Sequence, residues 1–158
     1  FAIASENEWY KAAYYDGSSY FDYPTQSDTA PTDVAPGSAN GSNNANYDNV
    51  VESVTDVGGY SNSASHYGTF DQGGNVWEWN DAIVSTSDRG LRGGSFFDSA
   101  ILLQSSYRYN FDPTKEYSRF GFRVSSLAPI PEPSAYGAIF GIVGLATAIF
   151  FRRKRRRG

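Results

Sequence analysis

Two carboxylates on either side of a glycine turn are the residues whose types and spacing most directly suggest chemistry. Asp71 precedes Gly73-Gly74 and Glu78 follows it. Carboxylates with turn carbonyls between them are the oxygen ligands that Ca²⁺ prefers. Together with Asp81, the same acids would also suit acid–base work around a metal. A third reading, as solvated surface acids, stays open on the residues alone.

Other catalytic chemistries are limited by composition. The chain has no cysteine and one histidine, His66. Disulfides, thiolate metal sites and cysteine nucleophiles are therefore excluded for this sequence. A Ser-His-Asp triad would have to use His66, and a metal site with several histidines is impossible.

The charge is distributed unevenly along the chain. No Lys or Arg occurs between Lys11 and Arg89, a stretch that contains 11 acidic residues. Such a field attracts cations and repels nucleic acid, so no nucleic-acid partner is expected.

The elements that must position these residues are short. Ser5 and Glu8 form a capping-box pattern, which predicts a helix over residues 6–15 that ends at Asp16-Gly17. Residues 24–46 lack a hydrophobic period and predict a long surface loop. Strands are expected around residues 76–79, after the glycine turn of residues 89–95, at 106–109 and at 120–124. The 26 aromatic residues predict a loop-rich fold held by aromatic packing.

The C-terminal region has a different character. Residues 128–134 form a Pro-rich linker, residues 135–151 contain no charge, and residues 152–158 form a basic tail. A helix over 135–151 would be about 25 Å long, which suits a short transmembrane span. A buried core helix would gain nothing from the basic run, whereas a membrane helix gains its orientation from it, with the tail in the cytoplasm and the preceding domain outside. The basic run consists of Arg152, Arg153, Lys154, Arg155, Arg156 and Arg157.

The order of these three segments resembles the PEP-CTERM sorting signal of Gram-negative bacteria. Its tripeptide is matched by Pro131, Glu132 and Pro133. The resemblance implies an exosortase-type enzyme as partner, location in the bacterial cell envelope, and release of the domain from a transient anchor after sorting.

Four ordered motifs carry a second resemblance. They are Ala4-Ser5-Glu6-Asn7-Glu8-Trp9, Gly74-Asn75-Val76-Trp77-Glu78-Trp79, Arg92-Gly93-Gly94-Ser95-Phe96 and Gly121-Phe122-Arg123. Together they resemble the formylglycine-generating enzyme, or sulfatase-modifying factor, family over residues 1–127. The implied fold is α+β and C-type-lectin-like, with few helices and a small antiparallel sheet. The family domain is longer on the N-terminal side, so this sequence is expected to begin inside it.

The resemblance also implies two structural Ca²⁺ sites. The first would use the side chains of Asp71 and Glu78 and the carbonyl groups of Gly74 and Val76. The second would lie near Asn46 and Tyr47, with residues 49 and 51 as less certain partners.

The family's copper chemistry is not expected here. The enzymes hold copper with cysteines beside a Tyr-Arg-Tyr segment, and this chain keeps Tyr107-Arg108-Tyr109 with Ser106 and Phe111 at the flanking positions. A hydroxyl and a phenyl group cannot replace two thiolates on copper. The expected function is a non-catalytic envelope binding or display module, with exopolysaccharide or surface glycan as a natural ligand. The alternatives are an enzyme with altered, non-copper chemistry and a structural matrix protein.

Overall fold

The computed structural model describes residues 1–38 and 40–126, and its one α-helix, α1, spans Glu6–Tyr14. The predicted capping box is confirmed, because Ser5 Oγ accepts from the Glu8 amide and the Glu8 side chain accepts from the Ser5 amide. The Ser5 hydroxyl and the Ser5 amide both donate to the Glu8 carboxylate, and they hold the pKa of this carboxyl below its ordinary value. The helix ends at Tyr14, one residue before the predicted end. Gly17, which follows shortly after, adopts the left-handed backbone conformation.

The strands of the described residues form three small sheets. They are β1 Ala2–Ile3, β2 Thr32–Asp33, β3 Asn44–Ala45, β4 Trp77–Ile83, β5 Arg89–Arg92, β6 Tyr109–Phe111, β7 Phe120–Phe122 and β8 Val124–Ser125. The largest sheet has the order β6-β5-β4-β7, while β1 pairs with β8 and β2 pairs with β3. Short 3₁₀ turns lie at Pro36–Ser38 and Ala100–Leu103.

The main sheet is mixed rather than purely antiparallel, which corrects the expectation from the sequence. β4 pairs antiparallel with β5, and β5 pairs antiparallel with β6. β7 instead lies parallel to β4 on the opposite side. The chain reaches β7 through a connection from β6. A hairpin between β4 and β7 would force antiparallel pairing, but no hairpin joins these two strands.

Two predicted strands are displaced. The strand near the second glycine turn precedes Gly93 and Gly94 rather than following them, because both glycines adopt positive φ. The strand predicted at residues 106–109 begins only at Tyr109. Its upstream backbone serves another purpose, since the Arg92 guanidinium donates to the carbonyl oxygens of Ser105 and Tyr107.

The last predicted strand, residues 120–124, is divided at Arg123 between two sheets. β7 pairs with β4, and β8 pairs with β1. The Arg123 carbonyl accepts a hydrogen bond from the Ala4 amide at 3.3 Å. The chain therefore changes partners within one residue, which ties the N-terminal segment to the main sheet.

Aromatic side chains dominate the core of this unit, which spans Phe1–Ser125. One buried cluster contains Ala4, Trp9, Ala13 and Tyr14, and the other contains Tyr23, Ala45, Tyr47 and Leu103. The Tyr14 hydroxyl donates to the Leu103 carbonyl at 2.9 Å and so connects the two clusters.

Among the described residues, no helix combines the length and the hydropathy needed to cross a membrane. The predicted linker, membrane span, PEP tripeptide and basic tail lie outside the described residues.

Candidate functional site

An open cleft of about 390 Å³ lies beside the main sheet. Its lining comes from the start of β4, the segment between β5 and β6, β6 itself, the connection that follows β6, and the start of β7. Its lining comprises Trp77, Asp98, Leu102, Tyr107, Tyr109, Phe111, Tyr117, Arg119 and Phe120. The volume falls within the range typical of small-molecule sites.

The rings of this aromatic cleft are in contact with one another. Tyr109 stacks on Phe111 with ring centroids 6.1 Å apart, and it lies 5.4 Å from Trp77. Phe111 meets Phe120 edge to face at 5.7 Å. Tyr109 and Tyr117 are 37% and 48% exposed, so both side chains remain partly accessible to solvent even though they are held by their neighbours. Rings supported in this way lose little conformational freedom when a ligand stacks on them.

Two charged residues, Arg119 and Asp98, also line the aromatic cleft. The Arg119 guanidinium lies over the Tyr117 ring, 5.8 Å from its centroid. Among the described residues it makes no ion pair. Across the lining, Asp98 Oδ2 accepts hydrogen bonds from the amide and hydroxyl of Ser95. The cleft thus combines an apolar stacking surface with one cation and one oriented carboxylate.

The first predicted Ca²⁺ set is only partly free to bind a cation. Glu78 is 5% exposed, and both of its oxygens are occupied: Oε2 accepts from Trp9 Nε1, and Arg123 donates to Oε1 and Oε2. Asp71 Oδ2 accepts from the Gly58 amide at 2.6 Å. Burial raises the pKa of the Asp71 carboxyl, while that hydrogen bond and nearby Arg123 oppose the rise. A cation bound by Glu78 would have to compete with the guanidinium.

The second predicted Ca²⁺ set contains an oxygen atom that is better suited to bind a cation. Asn46 is 1% exposed, and its Nδ2 donates to the Ser53 carbonyl at 2.9 Å. Its Oδ1 is buried and has no hydrogen-bond partner among the described residues. The Tyr47 hydroxyl donates to the Pro31 carbonyl, and the Tyr47 carbonyl accepts from the Val50 amide at 3.2 Å. An unpaired buried amide oxygen is costly, and a bound cation would remove that cost.

The two predicted Ca²⁺ sets are neighbours in the structure. The Asn75 amide donates to the Asn46 carbonyl at 2.8 Å. Gly74 packs so closely on that carbonyl that a Cβ there would overlap it. Val76 lies under Gly121 of β7. No group of three or more His, Asp or Glu side chains within residues 1–38 and 40–126 is placed to hold a metal ion.

Asp81, the remaining candidate acid, caps the helix instead of facing the other two acids. Its Oδ1 accepts from the Glu6 amide at 3.2 Å, at the first turn of α1. This is a favourable position for a carboxylate next to the helix dipole. The structure therefore gives Asp81 and Glu78 structural partners of their own.

An ion-pair network joins the motifs and was not predicted from the sequence. Glu6 Oε1 accepts from Arg92 at 2.8 Å, and Glu6 Oε2 accepts from Arg108 at 2.5 Å. Arg123 pairs with Glu78. Each residue of these ion pairs belongs to one of the four motifs or to the Tyr-Arg-Tyr segment. Membership of a motif is therefore the sequence feature that could have pointed to these pairs.

The flanking positions of the Tyr-Arg-Tyr segment have ordinary roles. Ser106 is exposed, and its hydroxyl donates to Gln104 at 3.5 Å. Phe111 forms part of the aromatic cleft, where it meets Tyr117 at 5.6 Å. The segment therefore contributes rings to the cleft.

Comparison with known proteins adds a family match and similar folds. The family model described as a sulfatase-modifying factor enzyme 1-like domain matches residues 1–127. The structure is similar to that of Treponema denticola variable protein 1, with 25% identity and a TM-score of 0.54 over 76% of this chain and 45% of that chain. It is also similar in fold to the structure titled "Crystal Structure of CarF", with 24% identity and a TM-score of 0.51 over 77% and 45%. The chain thus spans less than half of either neighbour. No curated protein matches it.

Proposed function

The chain belongs to the family of the sulfatase-modifying factor enzyme 1-like domain, and from this premise we propose that residues 1–127 act as a non-catalytic binding or display module. The ligand binds in the aromatic cleft. Its chemical class is a sugar ring of exopolysaccharide or surface glycan.

The aromatic cleft is the observation that carries this proposal. Tyr109, Phe111 and Tyr117 offer ring faces that suit the apolar C–H faces of a pyranose. Arg119 and Asp98 in the same lining supply a donor and an acceptor for ring hydroxyl groups. A few polar groups around an apolar wall are the usual composition of a small-ligand site.

A role without the family's copper chemistry agrees with the residues of the chain. The sequence has no cysteine to hold copper. Ser106 and Phe111 stand beside the Tyr-Arg-Tyr segment, and neither a hydroxyl nor a phenyl group is a copper ligand of the thiolate type.

A structural Ca²⁺ ion is part of the same proposal. Asn46 Oδ1 is the ligand atom that best suits Ca²⁺, because this buried oxygen lacks a hydrogen-bond partner among the described residues. The carbonyl oxygen of Tyr47 would join it at the second predicted site. The first predicted site, with Asp71, Gly74 and Val76, stays a separate candidate in which Glu78 is already held by Arg123. When bound at the second site, Ca²⁺ would hold the loop after Asn46 in place.

Sorting to the bacterial cell envelope completes the proposal. Pro131-Glu132-Pro133, the uncharged span and the basic run would be read by an exosortase-type enzyme. The domain would then stand outside the cytoplasm, close to glycan. Mass spectrometry of the protein recovered from envelope fractions tests this: removal of the span supports sorting, and an intact basic tail on all recovered protein opposes it.

Binding is tested by presenting the purified chain to an array of bacterial envelope oligosaccharides. The proposal expects saturable binding that is lost in Tyr109→Ala and retained in Tyr20→Ala, a matched exposed tyrosine outside the cleft. Equal binding by both variants, or no saturable binding to any envelope oligosaccharide, would overturn it.

A further inference from the structure

A second cleft, of about 410 Å³, lies where β4 leaves its regular pairing. The register of β4 with β5 shifts between Trp79 and Ile83, and this bulge-like irregularity gives the bulge cleft its name. Bulges often redirect side chains beside binding sites. The lining of this bulge cleft comprises Ile3, Trp79, Asn80, Asp81, Arg89 and Pro113. It shares no lining residue with the aromatic cleft.

One wall of the bulge cleft is apolar. Ile3 is 46% exposed, Pro113 is exposed, and Trp79 is only half-buried although it packs edge to face on Phe120 at 5.5 Å. This wall suits a flat or ring-shaped body that is apolar on at least one face.

The other wall carries hydrogen-bond donors that are not fully used. Asn80 is 2% exposed, and its Nδ2 has no partner among the described residues, whereas its Oδ1 accepts from the Ala82 amide at 3.2 Å. That acceptor role fixes the amide orientation, so the group left unpaired is the donor. A buried donor without an acceptor costs free energy that a ligand acceptor would recover.

Arg89 supplies charge to the same wall. Its side chain donates to the Asp81 carbonyl at 3.3 Å, and no carboxylate within the described part of the chain forms an ion pair with it. The Asp81 carboxylate is turned to the Glu6 amide of α1. The guanidinium therefore retains several donors in the fork geometry that matches a carboxylate.

From these two walls we propose that the bulge cleft is a binding site for a small organic carboxylate with a ring-sized body. The carboxylate is held by Arg89 and reaches the Asn80 amide, while the ring lies against Trp79. The site is separate from the aromatic cleft and does not depend on the function proposed for it.

The side-chain signals of Trp79 and Asn80 in ¹⁵N–¹H correlation spectra of the chain report directly on this site. Benzoate is the probe, and benzamide is its neutral match in shape. The proposal expects saturable shifts of the Trp79 indole and Asn80 amide signals, with benzoate bound about tenfold more tightly than benzamide, as one charge-assisted hydrogen-bond pair would give. Glucuronate and glucose form a second matched pair, and preference for glucuronate would identify the ring as a sugar.

Arg89→Gln should lower benzoate affinity about tenfold, to that of benzamide. Lys115→Gln, an exposed charge change outside the lining, should leave it unchanged. The proposal fails if neither carboxylate shifts the two signals, if each carboxylate binds no better than its neutral partner, or if saturable shifts fall only on the aromatic cleft. The comparison on the unaltered chain decides the matter even if Arg89→Gln does not fold.

Discussion

Arg123 and Glu78 form a bidentate ion pair, with Nε 2.5 Å from Oε2 and Nη2 2.6 Å from Oε1. Trp9 donates its indole N–H to the same carboxylate. Three motifs that are far apart in the sequence therefore meet at one buried group. The motifs that identify the family are, in this chain, the residues that hold the fold together.

Glu78→Gln should destabilise the domain by about 3 kcal/mol, because it leaves the Arg123 guanidinium without its counter-charge in a largely buried place. Urea unfolding followed by tryptophan fluorescence measures the free energy of unfolding. Glu116→Gln, an exposed glutamate, is the matched control and should change stability little. A loss below about 1 kcal/mol for Glu78→Gln would show that the pair contributes no more than a surface ion pair.

Glu6 offers a comparison between two arginines that share one carboxylate. The Arg92 side chain is 10% exposed and the Arg108 side chain is 39% exposed. Arg92 also donates to two backbone carbonyl groups, so Arg92→Gln should cost about 2–3 kcal/mol of stability. Arg108→Gln should cost less than about 1 kcal/mol because solvent screens its pair. Thermal unfolding of both variants checks the order, and an equal loss for both would contradict it.

Gly74 and Gly58 have nearly the same backbone angle, with φ of +77° and +78°, but different surroundings. A Cβ at Gly74 would overlap the Asn46 carbonyl, whereas a Cβ at Gly58 would meet nothing within 4 Å. Gly58→Ala should therefore cost about 1–2 kcal/mol from backbone strain alone, and Gly74→Ala clearly more. Chemical unfolding of the two variants separates the terms. A similar cost at both positions would mean that the turn relaxes away from Asn46.

Chelation should lower the melting temperature of the chain if Ca²⁺ is held at Asn46, because a ligand bound only to the folded state stabilises it. In Asn46→Ala the Ca²⁺-dependent increment should vanish. Asn44→Ala removes another buried asparagine and should lower the melting temperature while keeping the increment. The same melting temperature with Ca²⁺ and with chelator in the unaltered chain would refute the Ca²⁺ proposal.

Short sequence patterns predicted the elements whose structure depends mainly on residues close in the chain. The helix start at Glu6 followed from the capping pattern of Ser5 and Glu8, and its end was one residue off. The parallel placement of β7 beside β4 was missed, because strand order depends on which distant segments meet. The strand at residues 106–109 was misplaced because Arg92, a distant residue in the sequence, binds its backbone.

The candidate site was partly within reach of the sequence. The Tyr-Arg-Tyr segment points to Tyr107, Tyr109 and the nearby Phe111, but their assembly with Tyr117 and Phe120 into one cleft requires the fold. Glu78 showed the opposite case. Its pattern suggested a metal ligand, and only the fold brings Arg123 from 45 positions away to its carboxylate.

The central claim is that the aromatic cleft binds a sugar ring, and ¹H–¹³C spectra of the aromatic side chains test it most directly. During titration with an envelope oligosaccharide, the ring signals of Tyr109, Phe111 and Tyr117 should shift together and saturate. In Tyr109→Ala the affinity should fall about tenfold or more, as the loss of one stacking ring implies. If the shifts are absent, or if they fall on rings outside the cleft such as Tyr20, the claim is contradicted.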